Sequence, residues 1–381
     1  MAREMKDSGI AWIGEIPTEW ACHKLKHFVK ISAGEIISKE EYVDGGEFPI
    51  IGSNGEIGRC NKYNNAETVI TTGRVGSVGT THMVEKAWVT DNALIITVKN
   101  ILPLYLFYII PNFDFELMLA GTAQPLITAT KLKNQFIPLP PVEKQEEIVS
   151  FLNRKCADID TILGKIRLSI EEYKKLKQAI ITQAVTKGVR DDRPMKNSGV
   201  EWIPSIPTDW DVCRGKHLFR ETSERSETGG EELLTVSHIT GITPRSQKNV
   251  NMFMSESLVG YKICHVGDIA ANTMWMWQGA IGVSNYEGVI SPSYNTYRQT
   301  AGTYESRYLD YLLRIRPLID VYALYSTGIT ASRLRLYPEQ FLSLRFIVPP
   351  LDEQEAIADY LDSKIREVDS LILKKNSILQ K

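Results

Sequence analysis

MKDSGIAWIGEIPTEW, residues Met5 to Trp20, returns as MKNSGVEWIPSIPTDW at Met195 to Trp210. Ten of the 16 positions are identical, at an offset of 190. A second pair of stretches closes each copy. Leu139–Leu163 reads LPPVEKQEEIVSFLNRKCADIDTIL and Val348–Ile372 reads VPPLDEQEAIADYLDSKIREVDSLI, now at an offset of 209. The second copy has therefore gained 19 residues between its landmarks. Weaker matches lie inside. Gly76-Ser77-Val78-Gly79 answers Gly279-Ala280-Ile281-Gly282, and Thr128-Ala129-Thr130-Lys131-Leu132 answers Thr330-Ala331-Ser332-Arg333-Leu334. Between these islands the copies diverge. Self-similarity in a fixed order marks a repeated structural unit, here a shared scaffold with unshared surfaces.

Within one copy the opening segment is aromatic and broken by Pro17, which predicts an irregular arm. Short apolar runs bounded by Gly and Asn follow. Phe48–Ile51, Thr68–Thr72 and Ala93–Val98 read as strands, with turns at Gly45-Gly46, Asn54-Gly55 and Gly73. Leu102–Ile110 reads as a helix opening near Pro103. The second copy repeats this with strands near Leu233–Val236, Asp268–Asn272 and Ala280–Val283 and a helix near Ser306–Ile315. Each body ends at a Pro pair, Pro140-Pro141 or Pro349-Pro350, followed by acidic residues. Proline and carboxylates both suit the first turn of a helix.

The helix after the first Pro pair is long. Val149, Leu152, Cys156, Ile159, Leu163, Ile166, Ile170, Tyr173, Lys177, Ile180 and Ala184 alternate spacings of three and four, and only Lys177 interrupts the apolar seam. From Val142 to Lys187 such a helix extends roughly 70 Å at about 1.5 Å per residue, stopping at Gly188. The last segment carries the same seam, Ala358, Leu361, Ile365, Val368, Ile372 and Leu379, broken once by Lys375. The simplest partner for each stripe is the other; the alternative is that each packs on its own body. By the offset of 209, Lys381 falls opposite Glu172, so the second helix reads as shortened. Ile180, Ile181, Ala184 and Val185 are then expected to lack mates at a less stable or partner-covered end.

Composition bounds the rest. The 381 residues are 43% apolar and 24% charged, with a net charge of −2, and the pI is about 6.4. Such a balance argues against a free-standing nucleic-acid binder, which is usually basic, unless the cations cluster or a partner supplies them. The five cysteines (Cys22, Cys60, Cys156, Cys213, Cys264) form no CxxC pair, and the six histidines (His23, His27, His82, His217, His238, His265) have no metal-ligand spacing. Neither a disulfide framework nor a zinc site is expected. Nothing near the N-terminus reads as a signal peptide, and the apolar run Ile101–Ile110 is too short to cross a bilayer. A soluble, cytoplasmic protein is expected.

The order MKxSGxxWIxxIPxxW, variable body, PPxxxQExI heptad helix, then all of it again, resembles the specificity subunit of type I restriction–modification enzymes across essentially the whole chain. The resemblance implies an α+β chain of two similar globular target recognition domains with small β-sheets, separated by two long antiparallel coiled-coil helices. The domains would span 1–140 and 189–348, and the spacer helices 141–188 and 349–381. It also implies a non-catalytic subunit that reads a bipartite sequence in double-stranded DNA. Two modification subunits would bind S-adenosylmethionine and methylate adenine, and restriction subunits would cleave using ATP and Mg. No cofactor, metal or membrane is expected on this chain.

The residues agree with a recognition role. No GxxxxGK[ST] loop occurs. Ser291-Pro292-Ser293-Tyr294 lacks the leading amide or carboxylate of an amino-methyltransferase loop and suits a turn. Asp114-Phe115-Glu116 lacks the trailing Lys of a nuclease triad. A stand-alone methyltransferase or nuclease would need such motifs. A coiled-coil adaptor without a DNA role would leave the paired, diverging bodies unexplained.

Sequence readout needs Arg, Lys, Asn or Gln at base edges, with phosphate contacts from cations, hydroxyls and backbone N–H groups. In the first body the candidates are Asn54 and the Gly-rich loop holding Thr72, Arg74 and Ser77; a tight hairpin with a solvated Arg is the alternative. In the second they are Trp275 and Gln278, which a core strand would explain equally, with Arg245 and Lys248 in a polar loop. Lys131 and Arg333 occupy matched positions that suit a phosphate clamp or a salt bridge to the helix start. Leu152, Ile159, Ile166, Ile170, Ile180, Leu361, Ile365, Val368 and Ile372 are the candidate helix-pair and partner-subunit interface.

Overall fold

The computed structural model describes residues 3–119, 126–247, 257–328 and 334–380. The chain divides into two compact units, Met1–Ile162 and Leu163–Lys381.

The first unit opens with β1 (Met5–Asp7), β2 (Glu15–Pro17) and β3 (Ala21–Lys24). The arm is not irregular, as the sequence reading expects: β1 and β2 pair antiparallel. The turn between them is satisfied locally, with Asp7 Oδ1 accepting from Gly9 N and Ser8 Oγ from Ile10 N. Gly9 and Gly14 take the positive φ that the turn requires, 69° and 67°. Then come β4 (Val29–Ala33), β5 (Phe48–Gly52), β6 (Gly55–Cys60), β7 (Val69–Gly73), β8 (Thr81–Val84), β9 (Trp88–Val89) and β10 (Ala93–Val98). α1 (Pro103–Ile109), α2 (Ala129–Lys133) and β11 (Phe136–Leu139) precede the long α3 (Val142–Lys187). An antiparallel sheet runs in the order β4-β10-β7-β8. α1, α2 and the start of α3 close one core around Ile70, Leu94, Ile96, Leu106, Leu132 and Val149.

The second unit repeats the frame. Its elements are β12 (Met195–Val200), β13 (Ile203–Pro207), β14 (Asp211–Arg214), α4 (Gly215–Leu218), β15 (Phe219–Thr222), β16 (Leu234–Ser237), β17 (Gly241–Pro244), β18 (Lys262–Cys264), β19 (Ile269–Ala271), β20 (Ile281–Val283), β21 (Gly288–Ile290) and β22 (Asn295–Gln299). α5 (Ser306–Leu313), α6 (Arg316–Tyr325), α7 (Pro338–Ser343), β23 (Arg345–Val348) and α8 (Leu351–Leu379) complete it. The sheet order β15-β22-β19-β20 matches that of the first unit strand for strand. β3 pairs with β11 as β14 pairs with β23.

Both Pro-Pro helix starts are held by the glutamine of the PPxxxQE motif. Gln145 Nε2 donates to Pro140 O and its Oε1 accepts from Leu102 N. Gln354 does the same with Pro349 O and Glu305 N. Buried amides of this kind are costly unless paired, and both are 2% exposed or less. The motif therefore fixes where each helix leaves its sheet. α3 stops at Gly188, whose N–H bonds Ala184 O at φ +79°.

Within the second unit the end of α3 runs antiparallel to α8. Lys177 Nζ bonds both carboxylate oxygens of Asp369 at 2.8 Å. Lys375 lies 5.6 Å over the Tyr173 ring, and Glu353 reaches Gly188. As one number rises the other falls. The two lysines that interrupt the seams thus each find a partner on the facing helix.

This direction corrects the expected loss of mates. Ile181, Ala184 and Val185 are buried in the second core with Tyr308, Ile357 and Leu361, Ile180 packs against it, and the Tyr308 hydroxyl donates to Val185 O at 3.0 Å. An antiparallel helix pairs by the sum of residue numbers, so the repeat offset does not give the facing residue. The apolar side chains left to solvent lie earlier on α3: Val142, Phe151, Ile159, Ile162 and Leu168 are half-exposed or more.

Candidate nucleic-acid interface

The two matching sheets place one loop of each unit in the same position, between β7 and β8 in the first and between β19 and β20 in the second. In each, a neighbouring hairpin tip leans on that loop.

In the first unit the loop is built on glycines. A Cβ on Gly73 would sit 1.9 Å from Ser77 O and 2.5 Å from Ser53 O, so only glycine permits the β5–β6 tip to approach. Gly73 N bonds Thr80 O, Gly79 N bonds Gly73 O, and Thr81 Oγ1 donates to Gly79 O. The structure thereby gathers Asn54, exposed at the hairpin tip, with Arg74 and Ser77. Arg74 is held at both backbone ends, donating from N to Asn92 O and accepting at O from Ile127 N. Its Nη1 touches Asp91 O at 3.3 Å.

Thr72 does not join them. It is fully buried in β7, an interior strand of the sheet, and cannot meet DNA without unfolding that part of the sheet. Lys131 sits on α2 and its ammonium donates to Leu119 O at 3.0 Å. The helix in the same place of the second unit is α7, whose Pro338 stands opposite Ala129 by the 209 offset. Arg333 is therefore not the counterpart of Lys131, the short string match having slipped against the frame. Arg333 and Lys248 themselves lie outside the described residues.

In the second unit the loop carries aromatics. Met276 is its buried anchor at 0% exposure, while Trp275 is 47% exposed. Asn272, Trp275 and Gln278 are tied in a chain of backbone bonds, Trp275 N to Asn272 O, Gln278 N to Trp275 O and Ala280 N to Trp275 O. Gly279 turns the loop out at φ +89°. The Ser291–Tyr294 segment braces it from behind. Thr273 Oγ1 donates to Ser293 O, and Asn272 Nδ2 donates to the Tyr294 hydroxyl, both at 2.9 Å. Burial raises the pKa of that hydroxyl, with Asn272 and Arg245 pulling the other way, which places Arg245 within electrostatic reach of the same brace.

His238, at the β16–β17 tip, stacks on Trp275 with ring centroids 6.3 Å apart and planes within 14°. Trp275 and Trp277 are likewise near-parallel, at 6.4 Å and 13°. Arg314 Nη2 fixes the tip by donating to Ile239 O at 2.9 Å. The sequence reading missed His238 and Arg314. The turn string His238-Ile239-Thr240-Gly241 between two apolar runs was the available signal for the first; nothing local marks the second.

A third cluster lies at the edge of the second sheet. His265 Nε2 and Nδ1 each meet a carboxylate, Glu224 and Glu287, at 2.9 Å. Arg298 joins Glu224 to the buried Asp268. The Glu224 hydrogen bond, then that of Glu287, hold the imidazole pKa above its ordinary value against partial desolvation.

Of the helix-interface candidates, Ile170, Leu361 and Val368 are buried, Leu152, Ile166, Ile180, Ile365 and Ile372 are half-buried, and Ile159 is exposed. Among the described residues no group of three or more His, Cys, Asp or Glu is placed to hold a metal. No helix among them is long and apolar enough to cross a membrane.

Residues 17–172 match the family model of the type I restriction modification DNA specificity domain. The type I restriction enzyme MjaVIII specificity subunit of Methanocaldococcus jannaschii is 23% identical over 94% of this chain and 88% of that protein. The MjaX specificity-subunit relative from the same organism is 26% identical over 72% of this chain, which spans only 63% of that relative's length. Among solved structures, the HsdS subunit from Thermoanaerobacter tengcongensis aligns at a TM-score of 0.51 and 16% identity, over 96% of this chain and 97% of that one. A chain from a structure of complex assembly and conformational transition in the type I R-M system aligns at 0.64 and 16%, over 95% and 94%.

Proposed function

We propose that this chain is a type I restriction–modification DNA specificity subunit that reads a bipartite sequence in double-stranded DNA, a reading supported by the family match over residues 17–172 and by the MjaVIII relative. Each unit takes one short segment, through the loop and hairpin tip described above. The helices fix the number of unread base pairs between the segments. Adenine methylation and cleavage belong to partner modification and restriction subunits, two of the former, which bring S-adenosylmethionine, ATP and Mg.

The observation that carries this reading is the matched pair of sheets presenting unmatched loops. Two frames agree strand for strand, yet one offers Asn54, Arg74 and Ser77 and the other His238, Trp275 and Gln278. Arg is suited to guanine O6/N7 or phosphate, and Asn and Gln to adenine N6/N7. A structural duplication alone gives no reason for difference to concentrate at those tips.

Genome-wide mapping of methylated adenine, with and without this chain in a cell holding its partners, tests the proposal. Loss of one bipartite motif is the expected result. An unchanged methylation map would refute it.

A further inference from the structure

The second unit leaves a hydrophobic surface where a base reader is expected to be polar. Trp275 is 47% exposed, Met274 36% and Ile239 74%. These groups are not loosely held. Met276 is locked in the core, Met274 N bonds Asn272 Oδ1, and Trp277 Nε1 donates to Met274 O. His238, Trp275 and Trp277 stand near-parallel but displaced, so nearly half of the central indole stays open. A cavity of about 520 Å³ touches this tip at His238, Ile239 and Gly279 and is otherwise walled by Arg314, Ile319 and the helix-pair residues Lys177, Ile181 and Ile365; neither Trp275 nor Trp277 lines it. Asp310 also faces it, but that carboxylate is engaged by Val283 N and Arg314.

We propose that the Trp275 turn is a stacking platform for a nucleobase, so that the second unit binds its DNA segment by opening one base step. This rests on the DNA-reading function proposed above. Edge readout uses amides and guanidinium groups; an immobilised, half-open aromatic stack has no hydrogen-bonding code and offers a π-face, which suits any unstacked base. Apolar side chains that enter a duplex do so by unstacking a step. The location favours DNA over a protein partner, because this turn occupies the place of the Gly-rich Arg74 loop in the other sheet.

The complex of this chain with its modification subunits tests it, using duplexes that carry the mapped bipartite motif. Single mismatches are scanned through both halves, excluding the methylated pair. A mismatch pre-opens a step, so stacking predicts one position, in one half only, where the mismatch tightens binding. Trp275→Ala should abolish that gain and weaken cognate binding ~10-fold, within the range of a lost base–aromatic stack; Trp275→Phe should keep most of both. Weakening at every mismatch, or a gain that survives Trp275→Ala, overturns the platform while leaving sequence-specific binding intact. Loss of co-elution with the modification subunits in Trp275→Ala assigns the patch to protein contact and overturns it also. Absence of any motif preference in the unaltered complex overturns both this inference and the function on which it rests.

Discussion

Trp20 and Trp210 end the same motif, yet their indole N–H groups meet different surroundings. Each ring has an arginine about equally far above it, Arg3 at 5.6 Å and Arg193 at 5.7 Å, and each arginine pairs with the acid before the tryptophan. In the second unit Trp210 Nε1 then donates to Glu353, which also binds Arg193 and is 1% exposed. In the first, the position opposite Glu353 is Lys144, which turns to Glu147 on the surface. Trp20 Nε1 is buried without a hydrogen-bond partner among the described residues. The helix face follows suit: the end of α3 is sealed into the second core, while Phe151 and Ile159 on its first half face solvent. One frame has been closed in two ways, by a buried ionic joint and a covering helix in one unit and by little of either in the other.

The largest expected effect falls on that joint. Glu353→Ala removes one partner of a buried pair and should destabilise the second unit by about 3–5 kcal/mol. Lys144→Ala should stay within ~0.5 kcal/mol. Denaturant unfolding of both variants checks this, and equal losses would break the comparison. Next, Ile181→Ala opens a cavity in the second core and should cost about 2–4 kcal/mol, whereas Ile159→Ala, at 54% exposure, should cost almost nothing. A large loss at Ile159 would mean that the first half of α3 is already covered in solution.

A smaller effect is set by pH. The pKa of His265 is raised in the fold, chiefly by Glu224, so its contribution is full below the unfolded value near 6.5 and fades as pH rises through the folded value. Glu224, lowered by His265, contributes above its own unfolded value and fades as pH falls through its folded one. These groups are 41% and 47% exposed, so screening keeps the effect modest. The protection of β19 amides, corrected for intrinsic base-catalysed exchange, should be greater at pH 6 than at pH 8.5, and His265→Gln should flatten that difference without altering the first unit. An unchanged slope in the variant would assign the pH response to other groups.

Much of the frame was legible. β5, β7, β10 and α1 fall within a residue or two of their expected spans, because β-branched runs between glycines and a proline at a helix start are local signals. α3 ends where its heptads end. The arm hairpin was hidden because its turn rests on side-chain bonds from Asp7 and Ser8 rather than on apolar alternation. Thr72 looked available because a hydroxyl beside a Gly-rich loop resembles a surface group; only the sheet order reveals an interior strand. His238 joins Trp275 across 37 residues of chain, a contact that no local pattern encodes.

The most direct measurement is the map of methylated adenines in cells carrying Arg74→Ala beside that for Gln278→Ala. If each unit reads its own segment, the first variant relaxes one half of the bipartite motif and the second the other, with the spacing between halves unchanged. Both halves changing together in either variant, or neither changing in both, would contradict two separate readers on one repeated frame.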